Sequence, residues 1–226
     1  MICWICGAPA NSGEHKIKQS DLRSVLRKPS QAQPVYYHDK STTNRPLGGY
    51  NRNFLKSSTF LCARCNNEVT QPYDRAWETL SEALRTRNPP LKPGDLVRVN
   101  RIFPRETREK MRFVQLFFTK LSGCHLMAGN LKFDQTSLSD SILRGQVSPY
   151  IHLKFGTSTE KLIGMTDLAV AKFTTDDSCA FVVWFYCIGT LAVQVMYAVK
   201  GENRDGLVDA WHPSLGTTRL LITDFS

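Results

Sequence analysis

The chain has 226 residues, 42% of them hydrophobic and 22% charged, with a formal charge of +9 and a pI near 9.3. That length holds one large domain or two small ones, and the apolar content excludes a chain that is disordered by default. The charge points to a polyanionic partner, nucleic acid first and an anionic membrane surface second.

The chain opens on a Cys-x-x-Cys knuckle, Cys3-Trp-Ile-Cys6, followed by turn residues at Gly7-Ala8-Pro9 and Asn11-Ser12-Gly13. Glu14-His15-Lys16-Ile17 reads as a short strand leaving that turn. Ser20 is a candidate N-cap for a helix over 21–28, with Leu22, Val25 and Leu26 at helical spacing. Residues 29–50 are rich in Pro, Ser, Gln, Asn and Gly and read as a long loop that carries Tyr36, Tyr37, His38 and Tyr50. Phe60-Leu61 leads as a strand into a second knuckle, Cys62-Ala-Arg-Cys65, with Asn66-Asn67 directly after it. Pro72 then suits the first turn of a helix whose apolar face is Tyr73, Ala76, Trp77, Leu80 and Leu84. Asn88-Pro89-Pro90 ends that helix near Arg87, and residues 88–94 mark a domain boundary between 1–88 and 95–226.

Beyond the boundary the pattern predicts a strand over 96–99 and a helix over 104–121. Met111, Val114, Phe117, Phe118 and Leu121 face inward, and Arg105, Arg108, Lys110 and Arg112 face outward. A short helix over 139–144 and strands over 151–155, 169–173 and 218–222 follow. Residues 179–199 carry no charge over 21 positions, which is long enough to cross a membrane. Their β-branched and aromatic composition, with Gly189-Thr190 as a turn, instead predicts a buried hairpin of two strands, 180–187 and 191–199.

The two knuckles supply four thiolates, the donor set of a tetrahedral structural zinc. Residues between Cys6 and Cys62 number 55, so the metal would close a long loop and position what lies inside it. Seven cysteines is an odd number, and residues 1–10 lack the basic and apolar regions of a signal peptide. A reducing cytoplasm with metal-bound thiolates accounts for this better than disulfides do, and leaves Cys124, Cys179 and Cys187 as core residues.

Glu14 and His15 lie inside the closed loop, and Asn66 adjoins it. Phosphodiester hydrolysis needs a water deprotonated near neutral pH, a task suited to histidine, and a cation to polarise the phosphoryl group. Glu and Asn are hard oxygen ligands, matched to Mg²⁺ or Mn²⁺ rather than zinc. Successive strand residues face opposite ways, so Glu14 and His15 converge on one phosphate only where the strand is distorted or ends. In the order Cys3-x-x-Cys6, Glu14-His15, Cys62-x-x-Cys65-Asn66, residues 1–80 resemble the zinc-clamped branch of the HNH endonucleases, the ββα-metal nucleases.

The resemblance implies an N-terminal zinc-clamped ββα-metal nuclease domain over 1–88; it does not reach the C-terminal part, whose predicted strands and helices give a mixed α+β domain with an antiparallel sheet over 95–226, and so an α+β chain. It implies a structural zinc on Cys3, Cys6, Cys62 and Cys65. It also implies a catalytic Mg²⁺ or Mn²⁺ on Glu14 and Asn66, with His15 as general base. Asn in the last position, where the family more often has His, favours hard cations. Asn67 and Asp74 compete with Asn66, Gln71 is within reach of the helix start, and the family's middle Asn falls on Asn53 or, second, Asn51. Lys16, Lys18, Arg23, Arg45, Arg52 and Lys56 belong to a stretch, 16–56, with nine basic residues against Asp21 and Asp39, and are the candidate nucleic-acid contacts.

The activity implied is cleavage of DNA ahead of RNA, in a setting such as restriction or phage defence. The C-terminal part would serve substrate grip, specificity or self-association into a homo-oligomer. The competing reading is a non-catalytic zinc module that binds nucleic acid or protein, and a membrane-anchored protein ranks third.

Overall fold

The structure is a computed structural model that describes residues 1–226 apart from 27, 31, 39–42, 51–52, 58–59 and 202–204. It is a mixed α+β fold with a four-cysteine cluster near the N-terminus. Helices α1 (Gln19–Val25), α2 (Gln71–Arg85), α3 (Thr107–Ala128) and α4 (Gln135–Arg144) accompany two very short paired strands, β1 (Tyr36–Tyr37) and β2 (Arg45–Pro46). The remaining strands are β3 (Leu96–Arg98), β4 (Ile151–Met165), β5 (Ala169–Phe173), β6 (Cys179–Ala198) and β7 (Arg219–Asp224). Among the described residues these five form one sheet in the order β3-β7-β4-β6-β5, antiparallel throughout except for the parallel pair β4–β7.

The strand expected at residues 14–17 does not form as a regular strand: its arm meets the one before the second knuckle at two isolated bridges, Ser12 with Leu61 and His15 with Lys56. Backbone bonds from Ser57 N–H to Glu14 C=O (2.7 Å) and from Lys16 N–H to Leu55 C=O (2.9 Å) hold the two extended arms together. After the second arm the chain turns through a wide helical turn, Cys65–Val69, into α2. The expected apolar face of α2 is buried in full: Tyr73, Ala76, Trp77, Leu80 and Leu84. The α1 helix starts two residues earlier than its pattern predicted and ends at Val25 rather than 28. Ser20, the expected cap, instead donates its hydroxyl to Glu78.

The α3 helix continues past Leu121, its expected end, to Ala128. Ser122 and Gly123 do not stop it, because the glycine makes room for a neighbour: a Cβ at Gly123 would overlap the Trp4 indole. Trp4 also donates its Nε1–H to Cys124 Sγ at 3.4 Å, and its carbonyl accepts from Gln135 Nε2 at 3.0 Å. The first knuckle is therefore plugged into α3. An aromatic cluster joins the same helix to α2 and the sheet, with ring centroids of Trp77 and Phe118 4.8 Å apart and Trp77 and Tyr186 5.6 Å apart. Such offset and edge-on pairs add to the burial energy of the rings themselves. Asp21 ties α1 into the same junction: its buried carboxylate accepts from Trp77 Nε1 (2.8 Å), Ser81 Oγ (2.9 Å) and Tyr186 OH (2.8 Å). One hydrophobic core thus runs from Cys3 to Ile222, and packing continues across the 88–94 stretch expected to separate 1–88 from 95–226.

The uncharged segment 179–199 is not the hairpin its composition predicted. Residues Cys179–Ala198 form a single strand, β6. Both halves pair with one neighbour: Leu191–Tyr197 with Ile151–Thr157, and Tyr186–Gly189 with Leu162–Met165. The register shift needed to accommodate Gly189 falls in β4, between Thr157 and Leu162. Gly189 takes a positive φ (64°), which glycine adopts without steric cost, and uses it for an irregularity within the strand instead of a reversal. Among the described residues no helix is long and apolar enough to cross a membrane.

Candidate functional site

The two knuckles meet. The Sγ atoms of Cys3, Cys6, Cys62 and Cys65 all lie within 4.8 Å of one another, with Cys6 and Cys62 at 3.6 Å. A tetrahedral zinc with bonds of about 2.3 Å separates its sulfurs by about 3.8 Å, so this donor set fits zinc in number, softness and spacing. Four thiolates at this range repel one another unless a cation lies between them. Burial raises the thiol pKa of Cys65, and its neighbouring thiols raise it further. The Cys62 thiol is opposed by burial but lowered to about 7, because the Cys65 backbone N–H and adjacent thiols donate to it. Bound zinc would supply the missing positive charge and close the 55-residue loop.

Glu14 is carried to the inner side of its arm and is 6% exposed. Its Oε1 lies 3.1 Å from the Nζ of Lys120, a residue of α3 whose side chain is fully enclosed. The same ammonium lies 2.7 Å from Asp74 Oδ1 on α2, and Lys18 Nζ lies 2.9 Å from Asp74 Oδ2. Burial alone would lower the Lys120 pKa, but Glu14 and Asp74 outweigh it and hold the amine above an ordinary lysine. Burial pushes the Glu14 carboxyl up, and Lys120 opposes that rise.

A hard divalent cation does not fit Glu14 and Asn66 in this arrangement. The Glu14 carboxylate already carries a buried ammonium, and the Asn66 side-chain amide donates to Ser12 Oγ at 2.8 Å. Asp74, the competing ligand, is paired to two lysines. The Glu14–Asn66 pairing implied by the resemblance therefore meets a position the protein fills itself.

His15 differs from Glu14. Burial lowers its pKa below that of an ordinary histidine, Lys56 lowers it further, and the ring hydrogen-bonds the Tyr50 backbone. Its Nε2 is shielded from solvent and has no hydrogen-bond partner among the described residues. The Tyr50 bond therefore belongs to Nδ1. An imidazole whose Nδ1–H is fixed on a carbonyl presents Nε2 as a base.

Of the remaining expected contacts, Asn53 is exposed in a short 3₁₀ turn, Asn53–Leu55. Arg23 is exposed on α1, and Arg45 stacks its guanidinium over Phe54 at 4.1 Å. Lys18 is taken up by Asp74 and by Glu78 at 3.6 Å. Arg52 and Asn51 lie outside the described residues. Lys16 and Lys56 line a cavity of about 560 Å³ together with Tyr36, Tyr37, His38 and His125. Lys16 Nζ donates to Tyr37 OH at 3.4 Å across it. Burial pushes the His125 pKa down to about 4, and its Nδ1 has no partner among the described residues.

Sequence reasoning missed Lys120 and His125. A signal for the first was present: Lys120 lies four residues after Leu116 and four before Cys124, on a stripe that is otherwise apolar and buried. A lysine there must find carboxylates or unfold the stripe.

Against protein-family models, curated proteins and solved structures, the chain finds no match.

Proposed function

We propose that the chain hydrolyses phosphodiester bonds in nucleic acid, DNA ahead of RNA, with His15 as the general base. The observation that carries this reading is the His15 ring: its pKa is lowered by burial and by Lys56, its Nδ1 is pinned by the Tyr50 backbone, and its Nε2 is uncommitted among the described residues. A base needs a free ring nitrogen and a fixed tautomer to take a proton from an attacking water. Its setting agrees with the HNH resemblance, since two extended arms bridged at His15 and Lys56 lead through Cys65 into α2. The basic and aromatic cavity beside it, with Lys16, Lys56 and Tyr37, suits a phosphate and a stacked base. Zinc on the four cysteines would hold the arms and the helix start in register. A divalent cation on Glu14 takes no part in this chemistry, since the Lys120 ammonium occupies that carboxylate.

A second reading is a zinc module that binds nucleic acid or protein without cleaving. It is favoured by the Lys120 ammonium on Glu14 and by the shielding of His15 Nε2.

Plasmid cleavage and gel-shift binding, measured on wild type and His15→Ala at matched zinc content in Mg²⁺, Mn²⁺ or EDTA, separate the two. The nuclease reading expects cleavage by wild type, a fall of about 10²–10⁴ in rate for His15→Ala, and binding that survives the change and weakens with salt. Binding without cleavage selects the second reading. Equal cleavage by both proteins removes His15 from the chemistry.

A further inference from the structure

We infer that Glu14 and Asp74 form a cation position whose occupant is the protein's own Lys120 ammonium, and that this position takes no divalent metal ion. The inference concerns occupancy alone and holds whether or not the protein cleaves nucleic acid.

Four observations carry it. The Lys120 Nζ lies between the carboxylates, 3.1 Å from Glu14 and 2.7 Å from Asp74, and its side chain exposes 0% of its surface. The second face of Asp74 is closed by Lys18 at 2.9 Å, which also reaches Glu78 at 3.6 Å, so both buried carboxylates already have an ammonium partner. The cation also cannot step aside. It projects from the middle of the 22-residue α3, between the buried Leu116 and Cys124, one position after the buried Thr119 and beside the glycine that receives Trp4. It cannot readily lose its proton either, since the carboxylates hold it protonated well above neutral pH. A metal ion bonded to Glu14 at about 2.0–2.6 Å would sit against that ammonium in a largely buried site, where like charges are poorly screened. The carboxylates could accept the ion only if Lys120 were removed.

The arrangement also divides labour between two kinds of cation. Soft thiolates are left for an external metal, and hard carboxylates are satisfied from within the chain. The second pairing joins parts far apart in sequence: Glu14 on the first arm, Asp74 on α2 and Lys120 on α3.

The test uses the full, zinc-loaded chain without nucleic acid, titrated with Mn²⁺ and followed by the electron paramagnetic resonance signal of the free ion. Wild type and Glu14→Gln are expected to bind Mn²⁺ equally weakly, with no stoichiometric site. Lys120→Ala, which leaves Glu14 without a cation and Asp74 with Lys18 alone, is expected to gain one Mn²⁺ per chain at least tenfold tighter, and Lys120→Ala/Glu14→Gln to lose it. A stoichiometric site in wild type that Glu14→Gln abolishes overturns the inference. So does a folded, zinc-loaded Lys120→Ala that gains no site. Where Lys120→Ala does not fold, the comparison of wild type with Glu14→Gln decides alone.

Discussion

The four-cysteine clamp and the Glu14–Lys120–Asp74 cluster sit on the same arms and the same helix, yet they solve opposite electrostatic problems. The clamp gathers four ionisable thiols within 4.8 Å and has no cation of its own among the described residues. The acid cluster gathers two carboxylates and holds two lysines against them. Acidic and thiol clusters look alike in a sequence, as groups of metal-ligating residue types. What separates them is whether the fold delivers a side-chain cation, and here α3 delivers one to the carboxylates alone.

The largest effect should come from breaking the clamp. Cys62→Ser removes a donor that also accepts the Cys65 backbone N–H, and metal binding to such sites is inseparable from folding. Zinc should be lost, and the N-terminal arms with it, at a cost of several kcal/mol in urea unfolding. Unchanged zinc content in Cys62→Ser would remove this cysteine from the ligand set.

The next largest should come from the other site. Lys120→Met leaves Glu14 and Asp74 buried without their shared cation, and breaking a buried pair from one side costs about 3–5 kcal/mol. Adding Glu14→Gln to Lys120→Met should restore part of that loss, since the carboxylate left without a cation disappears while Asp74 keeps Lys18. Zinc content should stay at the wild-type level in both, which distinguishes this site from the clamp.

The smallest effect is a pH dependence. Folded His125 binds a proton less readily than the unfolded chain, with a pKa of about 4 against an ordinary 6.5. Its contribution is therefore present above about pH 6.5 and is lost as the pH falls toward 4, by about 3 kcal/mol at most. His15, also lowered, acts in the same direction, whereas Glu14, raised by burial, acts in the opposite one. Urea midpoints of wild type and His125→Phe should converge toward acid relative to their separation at pH 7, the variant losing less. Parallel curves would show that His125 titrates normally.

How far the sequence reveals this molecule depends on the range of the interaction. The α2 face was legible because Tyr73, Trp77, Leu80 and Leu84 repeat at helical spacing and each is buried for that local reason. The clamp was legible because two fixed Cys-x-x-Cys spacings admit few chemistries. The hairpin expected over 180–199 failed because a glycine with positive φ serves equally for a turn or for an irregular strand. Only the partner strand β4, which runs along both halves, decides between them. Residues 88–94 read as a boundary from their prolines, but whether a core stops there depends on long-range packing across it, of Trp4 on Gly123 and of Trp77 on Tyr186. Glu14 was found by its neighbour His15, but its partner Lys120 lies 106 residues away and no local pattern joins them.

Elemental analysis of the purified full chain tests the central contrast most directly. Protein prepared without chelator is dialysed against equal zinc and manganese and then washed free of unbound metal. The account predicts one zinc per chain, lost in Cys62→Ser, and no retained manganese. Absence of zinc, or one manganese per chain that disappears in Glu14→Gln, would contradict it.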